Sequence, residues 1–525
     1  MPTLEWIGKD KVINHHNDVP YRVLDEVYTY GADKSENKII RGDNLEALKA
    51  LLPQYEGKIK CIYIDPPYNT GEENWVYSDS VNDPKIKKWL GEVVGKEGED
   101  LSRHDKWLCM MYPRLKLLQR LLADNGAIFI SIDDNELYNL KLICDEIFGA
   151  VNYVTTFVWE KRLNRENRKV VSSRHDYIVC YAKKVTSDIR PIKLLDMTEE
   201  ALKRYQNPDN DLRGLWKSDP AHAQAGHGTS NQFYVLTAPN GKKHSLPAGR
   251  CWLYTEQVME AAIQDGRIWF GKDGNNVPRI KTFLMAKNRG LTPESMWFAN
   301  EVSTNEAAKN ELKRMFSEAI PFTTPKPHQL IERILQIATD KNSIILDSFA
   351  GSGTTAHAVL NMNKADGGNR KFILVELMDY AETITAERVR RVINGYGEGK
   401  NAVEGTGGDF TFYDLGAPLM IDNQYLNEDV PLDKLRQYVF FMETKQTMGE
   451  GKKDEPYLLG TYQNAAYYFY YEKETVTTLD HSFLATIKTQ MEEYLIYADI
   501  NALSNEELAK HHIVFKKIPR DIAKL

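Results

Sequence analysis

The residues best able to do chemistry stand in two short motifs, and the first is Asp65-Pro66-Pro67-Tyr68. It comes directly after KCIYID (60–65), an apolar run that predicts a buried strand. Two successive prolines fix φ at about −65° and lack N–H donors, so the chain should leave the strand in a stiff, extended conformation. That would present a carboxylate, a carbonyl and an aromatic ring where open α/β sheets bind ligands. A rigid loop without a ligand is the alternative.

The second motif is DSFAGSGTT (Asp347–Thr355), between a predicted strand and a predicted helix. Its glycines allow a tight turn and a close approach to a ligand, which the free N–H groups of the following helix would face. Glu376 ends the next predicted strand, where it could accept hydrogen bonds from ribose hydroxyls. The string GSGTTA (351–356) also satisfies the dinucleotide fingerprint, so the motif indicates an adenosine-containing cofactor and leaves an NAD- or FAD-dependent oxidoreductase open.

Taken together, the two motifs favour one chemistry. A carboxylate, a carbonyl and an aromatic ring suit a planar base with an exocyclic amine, because two acceptors can hold the N–H hydrogens while the ring stacks on the base. A hydride-transferring enzyme has no evident use for that arrangement. We therefore expect the loop at 65–68 and the glycine turn at 351–353 to open onto a shared cavity.

The elements that must position these motifs alternate between short apolar strands and amphipathic helices, which predicts a mainly parallel sheet covered on both faces. The first region predicts strand 60–65, helix 102–123, a turn at Asn125-Gly126, strand 127–133 and a helix from 135 to about 149. The second predicts helix 327–339, strand 343–347, helix 354–363, strand 371–376 and helix 380–392.

Charge is distributed unevenly along the 525 residues, whose net charge is −7. Residues 151–330 carry +8 and residues 401–525 carry −8, so only the middle of the chain could attract phosphate. The region from 185 to 319 is rich in Gly, Pro and polar turns and predicts an irregular inserted domain. The densest basic run, which could equally be a solvated face, is Lys161, Arg162, Arg165, Arg168, Lys169 and Arg174.

Other features exclude several classes of protein. No stretch approaches the roughly 18 apolar residues of a membrane span, and the charged N-terminus does not predict a signal peptide. The five cysteines show no CxxC spacing, which argues against a disulfide framework and a structural zinc site. We expect a cytoplasmic protein that makes no membrane contact and needs no metal.

Beyond these motifs, longer blocks resemble the amino-methylating DNA methyltransferases of the β class, and more narrowly the modification subunit of type III restriction–modification systems. The class-wide blocks are NKIIRGDNLEALKAL (37–51), DPPYNTG (65–71), FISIDDNE (129–136), HDYIVCYAKK (175–184), TPKPHQLIERIL (324–335), LDSFAGSGTT (346–355) and FILVELMDY (372–380). The subfamily blocks are DLRGLW (211–216), GRCWLYTEQ (249–257), DGRIWFGKDG (265–274) and IVFKKIP (513–519).

The resemblance implies a Rossmann-like class I methyltransferase fold, an α/β fold with a mixed, mainly parallel sheet. The catalytic domain would comprise two segments, 1–184 and 320–400, with a target-recognition domain at 185–319 and a small α+β assembly domain at 401–525. The implied reaction is methyl transfer from S-adenosylmethionine to the N6 amine of a flipped adenine in double-stranded DNA. Cytosine-N4 methylation and a non-catalytic DNA-specificity module are the alternatives.

Roles for single residues follow from the same resemblance. Asp65 and the Pro66 carbonyl would hold the target amine, Tyr68 would stack on the base, and Pro67 belongs to the same catalytic motif. The implied cofactor-binding residues are Asp43, Asn44, Lys326, Asp347, Phe349, Gly351, Gly353, Thr354, Thr355 and Glu376. Asp43 could instead only cap a helix, and Lys326, expected at the cofactor's methionine carboxylate, could be a solvated lysine. The implied partners are DNA, contacted by the basic run, a second copy of the chain and an ATP-dependent restriction subunit.

Overall fold

The computed structural model describes residues 3–70, 103–165, 170–285, 290–316, 322, 324–421 and 424–520. The chain divides into two compact units, one formed by 1–192 together with 294–525 and the other by 193–293. The predicted domain boundaries at 184, 319 and 400 stay predictions.

The first unit is built on a ten-stranded sheet, and its six central strands run parallel. In spatial order the strands are Arg22–Tyr30, Phe410–Pro418, Lys38–Arg41, Lys371–Glu376, Ile344–Asp347, Ile59–Ile64, Leu122–Ile132, His175–Ala182, Tyr153–Glu160 and Met296–Trp297. The central strands are apolar and buried because helices cover both faces, which is the usual environment of parallel strands. The predicted α/β fold with a mixed, mainly parallel sheet is confirmed.

Side chains of the strand Ile59–Ile64 show how the two faces are covered. Ile62 and Ile64 belong to a core cluster with residues of helices Asn44–Tyr55 and Arg103–Leu121. Because successive strand side chains point to opposite faces, Cys61 and Tyr63 face the other side. Among the described residues of the first unit up to residue 394, the α-helices are Lys9–Val12, His15–Asp18, Asn44–Tyr55, Arg103–Leu121, Leu137–Cys144, Ala299–Val302, Asn305–Met315, His328–Ala338, Thr354–Asp366 and Glu387–Asn394.

One predicted turn is wrong. Asn125-Gly126 lies inside the strand Leu122–Ile132, which pairs Leu122 with Ile59 and Ala127 with Cys61. The extra residues form an irregularity in the strand instead of a separate turn. A side chain at position 126 would come within 2.9 Å of the Ile59 carbonyl oxygen, so the close approach of the backbones explains the glycine.

Residues 395–520 add smaller elements to the first unit. A four-stranded sheet comprises Leu458–Tyr462, Ala465–Phe469, Glu493–Ala498 and Ile513–Lys517. Short strand pairs join Gly395–Tyr396 to Val403–Glu404, Met420–Ile421 to Tyr425–Leu426 and Thr478–Leu479 to Ile500–Asn501. The helices are Leu432–Thr444, His481–Leu484 and Asn505–Lys510. The strand Phe410–Pro418 joins the large sheet, so this region contributes to the main fold as well.

The second unit consists of short strands and loops around a small core that includes Trp252 and Phe270. Its strands are Trp216–Pro220, His222–Gln224, Leu236–Thr237, Lys243–His244, Arg250–Trp252, Ile268–Trp269 and Arg279–Phe283, and its helices are Glu199–Leu202 and Glu256–Gln264. Among the described residues of the whole chain, no helix combines the length and the hydropathy needed to cross a membrane.

Candidate active site

Two neighbouring parallel strands bring the two motifs together. Ile59–Ile64 and Ile344–Asp347 are adjacent in the sheet, with Ile345 opposite Cys61. Because parallel strands end at the same edge, the loops that follow them meet there. They line one cavity of about 200 Å³, whose wall includes Asp65, Pro66, Pro67 and Tyr68 from the first loop and Phe349, Gly351 and Thr354 from the second.

The first loop is anchored by contacts to the helix Arg103–Leu121 and its surroundings. The indole nitrogen of Trp107 donates to the Pro67 carbonyl at 2.7 Å. Asn69 adopts a left-handed conformation with φ of 57°, and its amide donates to the Arg103 carbonyl at 3.1 Å and to the buried Glu136 carboxylate at 2.5 Å. These bonds fix the conformation of the loop on both sides of Tyr68.

The two oxygens of the Asp65 carboxylate have different surroundings. Oδ2 accepts from the Lys326 ammonium at 2.5 Å. Oδ1 is buried and makes no hydrogen bond of normal geometry with a described residue, although the neighbouring Tyr68 hydroxyl interacts with this carboxylate, which lines the cavity. A buried acceptor without a donor costs about 1–3 kcal/mol, so this atom marks a place where a ligand donor would be stabilised.

Tyr68 presents an aromatic face beside that acceptor. Its ring is partly exposed while its hydroxyl is buried, and the Lys326 ammonium lies 5.0 Å from the ring centre. Burial, followed by the negative charge of Asp65, holds the pKa of Tyr68 well above its usual value. The phenol of Tyr68 therefore stays neutral at physiological pH.

The glycine turn depends on two left-handed residues, Gly351 with φ of 51° and Gly353 with φ of 82°. Gly353 also occupies the N-cap position of helix Thr354–Asp366. A Cβ at Gly353 would lie 3.0 Å from the carbonyl oxygen of Thr385, whose hydroxyl donates to the Gly351 carbonyl at 2.6 Å. Both the backbone conformation and the available space therefore favour glycine here.

Two buried carboxylates support the turn. Glu376 accepts from the backbone N–H groups of Gly351, at 2.7 Å, and Met378, at 3.0 Å. Asp347 accepts from the Phe349 N–H at 3.0 Å and the Thr355 hydroxyl at 2.5 Å. Burial raises the pKa of both groups to about 7, although these hydrogen bonds act in the opposite direction.

Behind the turn, the buried guanidinium of Arg388 donates to the Ser352 hydroxyl at 2.8 Å and the Thr354 hydroxyl at 2.7 Å. The Thr354 hydroxyl donates in turn to the Lys326 carbonyl at 3.2 Å. Burial lowers the pKa of Arg388 to about 10, which still leaves it charged at neutral pH. This network joins the glycine turn to the segment that carries Lys326.

Asp43 and Asn44 support the site from outside the cavity wall. Asp43 caps the helix Asn44–Tyr55 by accepting from the N–H groups of Leu45 and Glu46, and pairs with Arg114 at 3.2 Å. The Asn44 amide donates to the Ser348 carbonyl at 3.0 Å. These contacts fix the position of the glycine turn, and a cofactor contact for either residue stays a prediction.

The predicted basic run is only partly described, because Arg168 and Lys169 lie outside the described residues. Lys161 lines the cavity and pairs with the buried Asp176 at 2.6 Å. Arg162 donates to the Ser173 carbonyl, Arg174 donates to the Leu163 carbonyl, and Arg165 is exposed. Contacts of this run with DNA stay a prediction.

Asp176 and Asn305 are two of several cavity residues that sequence reasoning missed. Burial raises the pKa of Asp176 to about 6 against the opposing charge of Lys161. It lies in the block HDYIVCYAKK, so that resemblance was the signal that could have found it. Asn305 begins the helix Asn305–Met315, and its buried Oδ1 receives no hydrogen bond from a described residue. Nothing in its local sequence indicates a site.

One cluster of possible metal ligands occurs among the described residues, at Glu311, His328 and His357. Burial opposes ionisation of His328, but hydrogen bonds to Glu311 and Glu332 outweigh it and raise the pKa of His328 to about 9. The ring is therefore cationic at neutral pH. Arg388 lies 3.2 Å from His357 Nδ1, so a metal ion would meet two positive groups.

Comparison with known proteins assigns the family. A model of N6/N4 DNA methylases matches residues 59–387, which include both motifs. The StyLTI Mod subunit of Salmonella typhimurium, a type III restriction–modification enzyme, is 36% identical over 391 residues, covering 71% of this chain and 57% of that protein. The EcoP15I Mod subunit of Escherichia coli is 33% identical, covering 71% and 64%. The chain thus spans about three fifths of these curated relatives.

Other matches cover different shares of the chain. The type II methyltransferase M1.MboII of Moraxella bovis is 58% identical over 310 residues, covering 58% of this chain and 82% of that protein. A solved PvuII DNA methyltransferase, described as cytosine-N4-specific, covers 68% of this chain and 87% of its own at 14% identity and a TM-score of 0.33, a likeness too low to carry an argument.

These matches decide between the interpretations of the glycine motif. The family model spans Asp65–Tyr68 and the glycine turn together, so the dinucleotide-dependent oxidoreductase is wrong. The resemblance to type III modification subunits is confirmed by the relatives that carry that name. With both motifs at one cavity and the match extending over most of the chain, the protein belongs to the DNA methylase family.

Proposed function

We propose that this protein transfers the methyl group of S-adenosylmethionine to the N6 amine of adenine in double-stranded DNA, as the modification subunit of a restriction–modification system. The observation that carries the proposal is the unpartnered Oδ1 of Asp65 beside the Tyr68 ring, in the cavity that the glycine turn also lines. An exocyclic amine supplies the missing donor, and its base supplies a face for the ring to stack on.

The second loop fits the cofactor by the chemistry of its groups. Two left-handed glycines let the backbone approach a ligand closely, and the turn leads into the N-terminus of helix Thr354–Asp366. The Glu376 carboxylate ends its strand beside this turn, where its oxygens accept from the Gly351 and Met378 N–H groups and would also be the acceptors for ribose hydroxyls. When bound, S-adenosylmethionine supplies an electrophilic methyl group.

The chain's own residues would hold and orient the base. Asp65 and the Pro66 carbonyl accept the hydrogens of the amine and favour its tetrahedral, charge-developing form over the planar ground state. Tyr68 stacks on the ring after the base has left the helix, which offsets part of the few kcal/mol that unstacking costs. The fixed loop then holds the nitrogen in line for attack, which supplies much of the remaining acceleration.

Several finer assignments belong to this proposal. Adenine is favoured over cytosine because related enzymes that act on cytosine N4 more often begin the motif with Ser, whereas this chain has Asp65. The net charge of +8 over residues 151–330 supports a DNA-contacting middle region, with target recognition at 185–319. The names of the type III relatives support assembly with a restriction subunit, and a homodimer and a cytoplasmic location complete the proposal.

Transfer of labelled methyl groups to unmethylated bacterial DNA, followed by nucleoside analysis, tests the proposal. We expect labelled N6-methyladenine from the wild type, whereas N4-methylcytosine would show the alternative base. Cofactor binding without transfer would indicate a DNA-specificity module.

The variant Tyr68→Ala sharpens that test. We expect transfer to fall by about fivefold to 150-fold, since base–aromatic stacking is worth about 1–3 kcal/mol, while cofactor affinity measured by calorimetry changes little. Tyr425→Ala, at a partly exposed tyrosine of a short strand pair, is the matched control and should transfer at the wild-type rate. Equal losses in the two variants would contradict a stacking role for Tyr68.

A further inference from the structure

Lys326 connects the two halves of the cavity. It lies between two prolines in the segment TPKP, is only 8% exposed, and its carbonyl accepts from the Thr354 hydroxyl at 3.2 Å. Its ammonium donates to Asp65 Oδ2 at 2.5 Å and lies 5.0 Å from the centre of the Tyr68 ring. The backbone therefore belongs to the cofactor loop, whereas the charge is placed on the first motif.

Asp65 needs such a partner because other carboxylates lie nearby. The negative charges of Asp65 and Asp347 face each other closely enough to affect the ionisation of Asp347. Asp176 pairs with Lys161 at 2.6 Å, and the charge of Lys326 acts on it only in addition to that pair. Lys326 therefore compensates the charge of Asp65 through one oxygen and leaves the other oxygen, Oδ1, without a hydrogen bond of normal geometry from a described residue.

We propose that Lys326 is a positioning residue for Asp65. The proposal rests on the proposed function: Lys326 holds Oδ2 of Asp65 in place so that Oδ1 accepts a hydrogen bond from the target amine. A carboxylate that turns freely presents its lone pairs to the amine only part of the time, whereas one held by an ammonium presents Oδ1 in one orientation. The competing assignment, derived from sequence, places Lys326 on the methionine carboxylate of the cofactor. The two assignments require the ammonium in different places and predict different losses.

Calorimetry with two probes separates the assignments without measuring catalysis. S-adenosylhomocysteine carries the amino-acid carboxylate, and 5′-methylthioadenosine lacks it. If Lys326 positions Asp65, Lys326→Met leaves the affinity for both probes within about twofold of wild type. If Lys326 holds the carboxylate, the variant loses at least about tenfold for S-adenosylhomocysteine and nothing for 5′-methylthioadenosine, which would overturn the proposal.

Transfer kinetics on unmethylated bacterial DNA provide the second readout. We expect Lys326→Met to lower kcat by about tenfold to 100-fold with little change in KM for S-adenosylmethionine, because an interaction used in the transition state is lost. Lys326→Arg should recover part of kcat, since a guanidinium can donate to the same oxygen. An unchanged kcat in Lys326→Met would overturn the proposal.

A double-mutant cycle with Asp65→Asn tests whether Lys326 acts through Asp65. The double variant should be no slower than Asp65→Asn alone, and additive losses would overturn the proposal. Lys326→Gln, which keeps a donor without the charge, replaces Lys326→Met if the latter melts well below the wild type. A wild type that transfers no methyl group to DNA would instead refute the proposed function, and the calorimetric comparison would still decide where the Lys326 ammonium acts.

Discussion

The two loops that line the cavity differ in how completely their polar groups are satisfied. At the glycine turn, Glu376 and Asp347 each accept at least two hydrogen bonds, and Arg388 donates to two hydroxyls. At the first loop, Asp65 Oδ1 is buried and makes no hydrogen bond of normal geometry with a described residue, and the same holds for Asn305 Oδ1 elsewhere on the cavity wall. The glycine turn is the more fully bonded of the two loops, although Ser348 Oγ and Arg388 Nε are also buried without a partner among the described residues. The first loop lacks a donor for an acceptor of a cavity-lining residue, Asp65.

This difference indicates what each side does. Buried hydrogen bonds hold the two carboxylates and the guanidinium of the glycine turn in place, so the turn can keep its shape before a ligand arrives. An unsatisfied buried acceptor costs free energy in the empty protein, and a ligand that brings the donor recovers it. We infer that the cofactor side is assembled in advance and that the first loop is completed only by the target base.

The largest effect is expected from a substitution in the first loop, at Asp65. Asp65→Asn keeps the shape of the side chain but replaces one acceptor oxygen with a donor and removes the charge. We expect the transfer rate to fall by about 10²–10³-fold, the usual cost of deleting one preorganised group that stabilises developing charge. Calorimetric affinity for S-adenosylhomocysteine should change little, because the groups of the glycine turn stay intact.

Asp25→Asn is the matched control for this substitution. Asp25 is exposed on Arg22–Tyr30, at the edge of the same sheet and five strands away from Ile59–Ile64. The variant Asp25→Asn should transfer methyl groups at the wild-type rate. A nearly normal rate in Asp65→Asn would remove the reason for assigning the amine to Oδ1.

The next largest effect is expected from a substitution in the glycine turn, at Gly353. Gly353→Ala places a Cβ 3.0 Å from the Thr385 carbonyl oxygen in a left-handed conformation that costs L residues about 1–2 kcal/mol. We expect a lower melting temperature and at least about tenfold weaker binding of S-adenosylhomocysteine, because the turn must shift. Calorimetry and thermal unfolding measure the two effects.

Gly367→Ala separates strain from site geometry. Gly367 ends the same helix with φ of 65°, and a Cβ there would meet nothing within 4 Å. This variant should lose stability through the left-handed backbone alone and bind S-adenosylhomocysteine as the wild type does. Equal losses of affinity in both variants would mean that general destabilisation, and not the geometry of the turn, controls binding.

Of the two loops, the glycine turn was the more predictable from the sequence. Gly351 and Gly353 predict a turn with left-handed backbone conformations. The apolar runs before Asp65 and Ser348 predict the two strands whose parallel pairing brings the loops together. Both signals are local, because they depend on backbone sterics and on burial of adjacent residues. That is why a short stretch of sequence was enough.

The partners of the first loop could not be predicted in the same way. Lys161 belongs to a basic run that indicates phosphate contacts, yet its ammonium pairs with Asp176 at the cavity. Asn305 reaches the cavity only because its helix follows the chain's return from the second unit. Lys326 contacts Asp65 across 261 positions. Such pairings are set by tertiary packing, about which neighbouring residues carry no information.

The smallest expected effect is the pH dependence of stability and cofactor binding that Glu376 of the glycine turn produces. Burial raises the pKa of Glu376 from 4.5 to about 7, against the hydrogen bonds from Met378 and Gly351. Because the folded pKa lies above the ordinary value, the native protein holds the extra proton in this range. The stability that this proton contributes is fully present below about pH 4.5 and is lost as the pH rises through about 7.

Ligand binding should act on the same proton. Ribose hydroxyls that donate to Glu376 favour its ionised form and lower its pKa, so the affinity for S-adenosylhomocysteine should rise by less than about tenfold as the pH increases through 7. Calorimetry in buffers of different ionisation enthalpy should detect a fraction of a proton released on binding near pH 6.5. Glu376→Gln should abolish this release and flatten the dependence of unfolding free energy on pH between 4.5 and 7, with Asp347 accounting for the slope that remains. Glu36→Gln, at a carboxylate whose side chain is 78% exposed, should leave proton release unchanged, and a release that survives Glu376→Gln would place the proton elsewhere in the turn.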